Sequence, residues 1–225
     1  MSTPRLRRSS LSHSVRSRLS EAIVAGEFPP GSRISEPLLA EKLGVSRAPI
    51  REALIELQLR GLVEFDATGH TRVPVLAPQD LEEILTVRLM LDPVATGLAA
   101  VHAESGMIAA LERNIAATKS AETLADVSQL DVDFHERIVR ASGNRRLLLC
   151  WNVLRDQISL WLTQMQFRHE KATHRTRQQT VAAHRRLVAV LQTGNAAAAE
   201  AEARRHVAGW RKLLPAVPAA AEGNS

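Results

Sequence analysis

The sequence predicts a mainly α protein in two parts: an N-terminal winged helix-turn-helix, with three helices and a small β-hairpin wing, then a C-terminal all-α bundle. Three observations predict it. Apolar residues recur at the helical spacing of about 3.6 residues over most of the chain. Strand-like sequence is confined to residues 62–65 and 71–76. The 225 residues leave room for two domains at about 100 to 200 residues each, both large enough to bury a core.

In chain order, Val15, Leu19, Ala22 and Ile23 form an apolar stripe that stops at Gly26, and Pro29-Pro30-Gly31 then turns the chain. Ser35 is placed to cap a second helix that runs to Leu43 and ends at Gly44. Ser46 is placed to cap a third, from Arg47 to about Arg60, before Gly61. That helix would bury Ile50, Ala53, Leu54 and Leu57, with Arg47 and Arg51 on a different, solvent-facing arc. The strand-like pieces flank Asp66-Ala67-Thr68-Gly69-His70, which reads as the wing tip. Ala77-Pro78-Gln79-Asp80 reads as a linker with an N-cap, so that the first domain spans residues 1–76 and the linker 77–80. Residues 81–214 carry about six helices, without strand, and a disordered tail is expected over 215–225.

Composition excludes several classes. A hydrophobic fraction of 45% with 24% charged residues excludes a mostly disordered chain. The net charge is +5, yet residues 1–75 carry 11 basic against 8 acidic residues and residues 76–225 carry 18 against 16. An anionic partner is therefore allowed, but neither half is a polycation. The single cysteine, Cys150, excludes a disulfide framework; its apolar run from Leu147 to Trp151 predicts a buried free thiol in a reducing compartment. The N-terminus lacks the apolar stretch of a signal peptide, and no uninterrupted apolar run approaches the roughly 18 residues of a membrane span. A cytoplasmic protein without membrane contact is expected.

Arg47 and Arg51 stand four residues apart at the start of the third helix. Like charges so spaced cost about 0.2–0.5 kcal/mol, which DNA phosphates or guanine edges would offset. The spacing alone leaves them equally readable as solvated surface. The segment G-V-S-R-A-P-I-R-E-A-L-I-E-L-Q-L-R-G-L-V-E, preceded by R-I-S-E-P-L-L-A-E-K-L, closely resembles the DNA-binding domain of the GntR family of bacterial regulators, over about residues 12–75. The resemblance implies that Arg47 and Arg51 contact an operator, that Ser46 supports them at the DNA backbone, and that Gly69 and His70 sit near the minor groove. Where some relatives have another DNA-contacting arginine this chain has Pro37. Arg5, Arg7 and Arg8 could add phosphate contacts, or belong to a disordered tail.

In the second half, ionisable residues fall on arcs that should be buried. At about 100° per residue, His184 lies amid Val181, Leu187, Val188 and Leu191, and His206 amid Ala203, Val207, Trp210 and Leu213. Asp131 and His135 share one helix face beside Phe134 and Ile138, and Arg88 sits within a stripe of Leu81, Ile84, Leu85 and Leu91, one turn before Asp92. Burying unpaired charge costs several kcal/mol, so these groups must meet each other or a ligand. One carboxylate and three neutral imidazoles suit a divalent cation, zinc first, with nickel and manganese compatible. By contrast, His169, His174 and the run from Arg175 to Arg177 have no inward stripe and read as solvated surface, and no metal-ligand spacing involves His13, His70 or His102.

The pattern L-D-V-D-F-H-E, then A-H-R-R-L-V and R-R-H-V, resembles the all-helical effector domain of the FadR subfamily. That resemblance implies that Asp131, His135, His184 and His206 ligate the ion, and that Arg88, in V-R-L-M-L-D-P, binds effector. Asp92 stands where glutamate is more usual, and its role stays open. The function expected is a homodimeric regulator, a repressor by resemblance, that binds a palindromic operator and is controlled by a small organic acid. A metalloregulator sensing the ion itself is the alternative. An enzyme is not expected, because His135-Glu136 is followed by Val139 where H-E-x-x-H needs histidine.

Overall fold

The structure, a computed structural model, describes residues 6–214. Arg5, the side chains of Arg7 and Arg8, and the tail expected over residues 215–225 lie outside the described residues. The N-terminal part comprises α1 (Leu6–Val24), β1 (Arg33–Ile34), α2 (Glu36–Leu43), α3 (Arg47–Leu59), β2 (Glu64–Phe65) and β3 (Thr71–Arg72). The bundle comprises α4 (Pro78–Val101), α5 (Ser105–Ser120), α6 (Leu124–Ala141), α7 (Arg145–Thr173), α8 (Thr176–Gln192) and α9 (Ala196–Ala208), closed by a 3₁₀ turn over Gly209–Leu213.

The three N-terminal helices surround Val15, Leu19, Ile23, Ile50, Ala53, Leu54 and Leu57, as their apolar spacing predicts. Ser35 caps α2 by accepting from the Leu38 amide at 3.5 Å, and Gly44 ends it at φ 65°, a left-handed conformation that glycine adopts without Cβ strain. Ser46 occupies the N-cap of α3, but its hydroxyl makes no capping bond. The wing is shorter than the expected strands and has a third member that the sequence reading missed. β1 pairs with β3, and β3 with β2, all antiparallel. Ile34 is buried opposite Thr71, after Gly31 and Val73 have joined the two backbones by a 2.8 Å amide-to-carbonyl bond.

Within the tetrapeptide expected as a linker, Pro78 already opens α4, and the Asp80 carboxylate accepts from the Ala77 amide at 2.8 Å. α4 is long and apolar enough to cross a membrane by length and composition. Half of that window is nevertheless buried in the protein, and it carries the buried pair Arg88 and Asp92. It packs closely on α9 through small residues: Ala99 and Ala100 share a core cluster with Ala199 and Ala203. A Cβ added at Gly97 would stand 2.5 Å from the Glu200 Cγ.

α7 joins the two parts. Its Leu160 belongs to the N-terminal core, whereas the adjacent Trp161 is buried in the bundle and donates its indole N–H to the Leu81 carbonyl at 2.9 Å. Thr163 donates to the carbonyl of Val24, the last residue of α1, at 3.2 Å. Arg60, just after α3, pairs with Asp156 at 3.1 Å. Two expectations fail on this helix. Cys150 is exposed, because a helix cannot turn all of residues 147–151 inward: Trp151 takes the buried position and Leu149 and Cys150 face solvent. His169 is not simply solvated, since its ring bonds to Thr176 at 2.7 Å and Gln179 at 2.8 Å across the turn into α8. His174 is exposed at φ 53°, the cap of α7.

Candidate metal centre and DNA-reading surface

Asp131 and His135 come from one face of α6, whose start is fixed by a reciprocal cap: the Thr123 hydroxyl accepts from the Asp126 amide while the Asp126 carboxylate accepts from the Thr123 amide. His184 comes from α8, flat against Phe134 with ring centroids 3.8 Å apart, and His206 from the end of α9. The three imidazoles place a ring nitrogen each within 4.8 Å of one another. The His135 and His206 Nε2 atoms are 3.1 Å apart, and Asp131 Oδ1 lies 3.4 Å from His135 Nε2 and 3.9 Å from His184 Nε2. Ligands about 2.1 Å from a shared cation would be roughly 3.0–3.4 Å apart, so this constellation needs only slight contraction to hold one.

The site's unsatisfied atoms point the same way. Asp131 Oδ1 and both ring nitrogens of His184 are buried without a hydrogen-bond partner. Such groups cost about 1–3 kcal/mol each unless something coordinates them. Burial lowers the pKa of His135 and His184 well below normal and that of His206 to about 3, with the positive Arg88 acting in the same direction on all three. The imidazoles are therefore neutral, with lone pairs available. Burial instead raises Asp131 to about 7, against the opposing effects of Arg88 and of the Gln166 hydrogen bond.

Arg88 is fully buried, 5.2 Å over the Trp161 ring. Its Nε and Nη2 donate to Asp92 Oδ2 at 3.2 and 2.7 Å, which leaves Nη1 buried and unpartnered. The same Asp92 oxygen lies 3.5 Å from His135 Nδ1. Asp92 therefore holds the arginine and lies beside the Nδ1 edge of His135, whose Nε2 faces Asp131 and His206. Gln166, which sequence reasoning missed, donates to Asp131 Oδ2 at 2.9 Å and accepts from Ser128 at 3.0 Å. Its signal was a run of polar residues, Ser159, Thr163 and Gln166, on the inward arc of α7. His206 also lines a cavity of about 530 Å³ that reaches solvent between α8 and α9.

On the other domain, Ser46, Arg47 and Arg51 are exposed at the start of α3, and neither arginine makes an ion pair or side-chain hydrogen bond among the described residues. Gly69 is exposed at the wing tip with φ 78° and open space around it. The tip is organised by Asp66, also missed, whose Oδ1 accepts from the Thr68 and His70 amides at 2.9 and 3.0 Å. The Thr68 hydroxyl, which donates to the same oxygen at 2.6 Å, holds its pKa well below normal, with the His70 and Thr68 amides adding to the effect. The Asp-x-Thr order was the available signal, since aspartate readily bonds the backbone two residues on.

A winged helix-turn-helix exposing unpaired arginines, joined to a bundle with an internal ligand cluster, defines a one-chain regulator of transcription. Residues 11–73 match the bacterial regulatory proteins of the gntR family, and residues 83–209 match the FCD domain. The chain belongs to the GntR family, FadR-type, and is a DNA-binding transcriptional regulator rather than an enzyme. It is 31% identical over 226 residues to the "Probable D-xylose utilization operon transcriptional repressor" of Paenarthrobacter nicotinovorans, covering 98% of this chain and 93% of that one. It is 34% identical over 134 residues to the uncharacterized HTH-type transcriptional regulator YdhC of Bacillus subtilis, a match that spans 60% of that relative's length. In fold it is similar to a GntR regulator from Rhodococcus sp. RHA1, with a TM-score of 0.79 at 22% identity over 92% of this chain and 99% of that one.

Proposed function

We propose that this regulator is a homodimeric repressor whose operator affinity is set by a small carboxylate bound beside a divalent ion in the helical domain. The observation that carries the reading is the convergence of buried Asp131, His135 and His184 with half-buried His206, with Asp131 and His184 left with unsatisfied ligand atoms. These four residues would hold the ion, with zinc the first choice and nickel or manganese compatible with the same donors. When bound, the ion would offer open coordination positions to a carboxylate oxygen. Arg88 would grip the other oxygen through its free Nη1, while Asp92 keeps the guanidinium in place. His184, stacked on Phe134, would be held in a fixed orientation toward the ligand.

On the DNA side, α3 would enter the major groove, with Arg47 and Arg51 at base edges or phosphates and Gly69 and His70 at the minor groove. The uncapped Ser46 hydroxyl is free to donate to a phosphate at the helix start. Two copies would read a palindrome with half-sites about one helical turn apart. Repression draws support from the name of the Paenarthrobacter relative, and a cytoplasmic location fits a regulator that must reach the chromosome.

The test combines metal analysis of the purified protein with operator binding followed by fluorescence anisotropy, with and without organic acids. Bound divalent metal is expected, removable by chelator and absent in His184→Ala. Operator affinity is expected to change with acid only in the metal-loaded protein. Replacing Arg47 with Ala should weaken operator binding by about 1–3 kcal/mol. A protein purified without metal, and unresponsive to acids after metal loading, would sink the reading. Operator release driven by metal titration alone would replace the carboxylate as the signal.

A further inference from the structure

We infer that the effector is a dianion, with its second acidic group received by an arginine pair at the cavity mouth; this rests on the proposed carboxylate site at Asp131, His135, His184 and His206. The cavity that His206 lines is bounded on one side by Arg186 of α8 and Arg205 of α9. Glu202 stands between them. Its Oε1 accepts from Arg186 Nε at 3.1 Å and its Oε2 from Arg205 Nε at 3.1 Å. The Glu202 side chain is buried, whereas the Arg186 and Arg205 side chains are 60% and 67% exposed. One buried negative charge thus tethers two outward positive ones, and the trio carries a net charge of +1.

That arrangement is suited to receive an anion. Each guanidinium has five N–H donors, and Glu202 and, for Arg186, the Ala182 carbonyl engage only some of them, so donors remain on both residues lining the cavity. Holding a long arginine in one position removes much of the ordering cost of using it later. Trp210, one turn beyond His206, also lines the cavity and supplies an apolar wall. His206 and both arginines line the same cavity, which puts the arginine pair beside the imidazole cluster.

The spacing sets the ligand's size. Glu202 and His206 are four residues apart on α9, and side chains one turn apart have Cβ atoms about 5–6 Å from each other. A dicarboxylate of about four to six carbons, at roughly 1.5 Å per carbon–carbon bond, has the length to reach across one such turn. A cavity of about 530 Å³ has room for that, being inside the usual range of roughly 300–1,000 Å³ for small-molecule pockets.

The experiment is calorimetric titration and thermal shift of the metal-loaded full chain with butyrate, gluconate, succinate, glutarate and adipate. Charge-assisted hydrogen bonds to the second group should make the best dicarboxylate at least about tenfold tighter than butyrate. Arg186→Gln and Arg205→Gln, tested singly so that Glu202 keeps one partner, should shrink that preference while leaving butyrate affinity within about twofold. Equal binding of butyrate and the dicarboxylates in the unsubstituted protein would overturn the inference and leave the carboxylate site standing. Gluconate binding as tightly as any dicarboxylate would overturn the second acidic group specifically. Failure of every acid to bind would overturn both readings together.

Discussion

The Gln166 side chain shows how much a buried site depends on residues that never touch the ligand. It fixes Asp131 through Oδ2 at 2.9 Å and is itself held by Ser128, so Oδ1 is left to face the imidazoles. Replacing Gln166 with Ala should lower metal affinity by about 10- to 100-fold without changing the ligand set. A chelator-competition titration measures this, and an unchanged affinity would refute the assignment. The same carboxylate fixes the direction of the pH dependence. Burial keeps the Asp131 proton on up to about pH 7, whereas His206 has lost its own by about pH 3 and both other imidazoles titrate well below normal. Protons therefore compete with metal at Asp131 and not at the histidines. Affinity should rise by up to tenfold per unit as pH climbs toward about 7, then level off. A profile flat between pH 5.5 and 8 would contradict this. The inward placement of all four ligand candidates and of Arg88 was legible in the sequence, because a 100° stripe of apolar neighbours marks the buried arc whatever residue interrupts it. Asp92 was visible as the neighbour of Arg88 one turn on, but its approach to His135, and the bonds of Gln166 to Asp131 and Ser128, cross between helices, and helical periodicity carries no information about which helices are neighbours.

At the scale of elements, start and stop signals carried most of the information. Ser35, Gly44 and Gly61 bound α2 and α3 where capping chemistry places them. What escaped was β1, a strand of two residues whose pairing with β3 depends on a contact across 36 residues of intervening chain, far beyond any alternation a short window can reveal. Cys150 escaped for the opposite reason: a five-residue apolar run looks uniformly buried, but a helix turns only part of it inward. The turn between α2 and α3 aims Arg47 and Arg51, so on the proposed DNA-binding role of those arginines its geometry bears on operator binding as well as stability. Gly44 sits at φ 65° with nothing within 4 Å of an added Cβ. Gly44→Ala should therefore cost about 1 kcal/mol or somewhat more through backbone strain alone. Denaturant unfolding would measure that loss, and operator affinity at low temperature should stay close to normal if the turn keeps its shape. A variant as stable as the parent would show that the turn has relaxed to another conformation.

Across the whole molecule, α7 offers a continuous physical route between the histidine–aspartate cluster and α3, the helix proposed to read DNA. Glu136, next to the ligand candidate His135, accepts from Arg155 Nε at 2.6 Å, and Asp133 pairs with the same arginine at 3.3 Å. The adjoining Asp156 holds Arg60 at the end of α3. A ligand that shifts α6 by a fraction of an ångström would thus pull on α7 through one ion pair and on α3 through the next. The prediction concerns coupling and not affinity. Arg60→Ala and Asp156→Asn should each leave acid binding and the operator affinity of the acid-free protein nearly unchanged, while reducing the change in operator affinity that acid produces. Couplings of this kind amount to about 1–3 kcal/mol, and residues along the connecting route alter them by about 0.5–2 kcal/mol. Because Arg60 is 43% exposed, its ion pair contributes little to stability by itself, so a lost response could not be attributed to unfolding. The decisive measurement is a double-mutant cycle on the acid-induced shift. If the two substitutions act through one contact, the double variant should lose no more response than either single one, whereas additive losses, or full response in both, would place the coupling elsewhere.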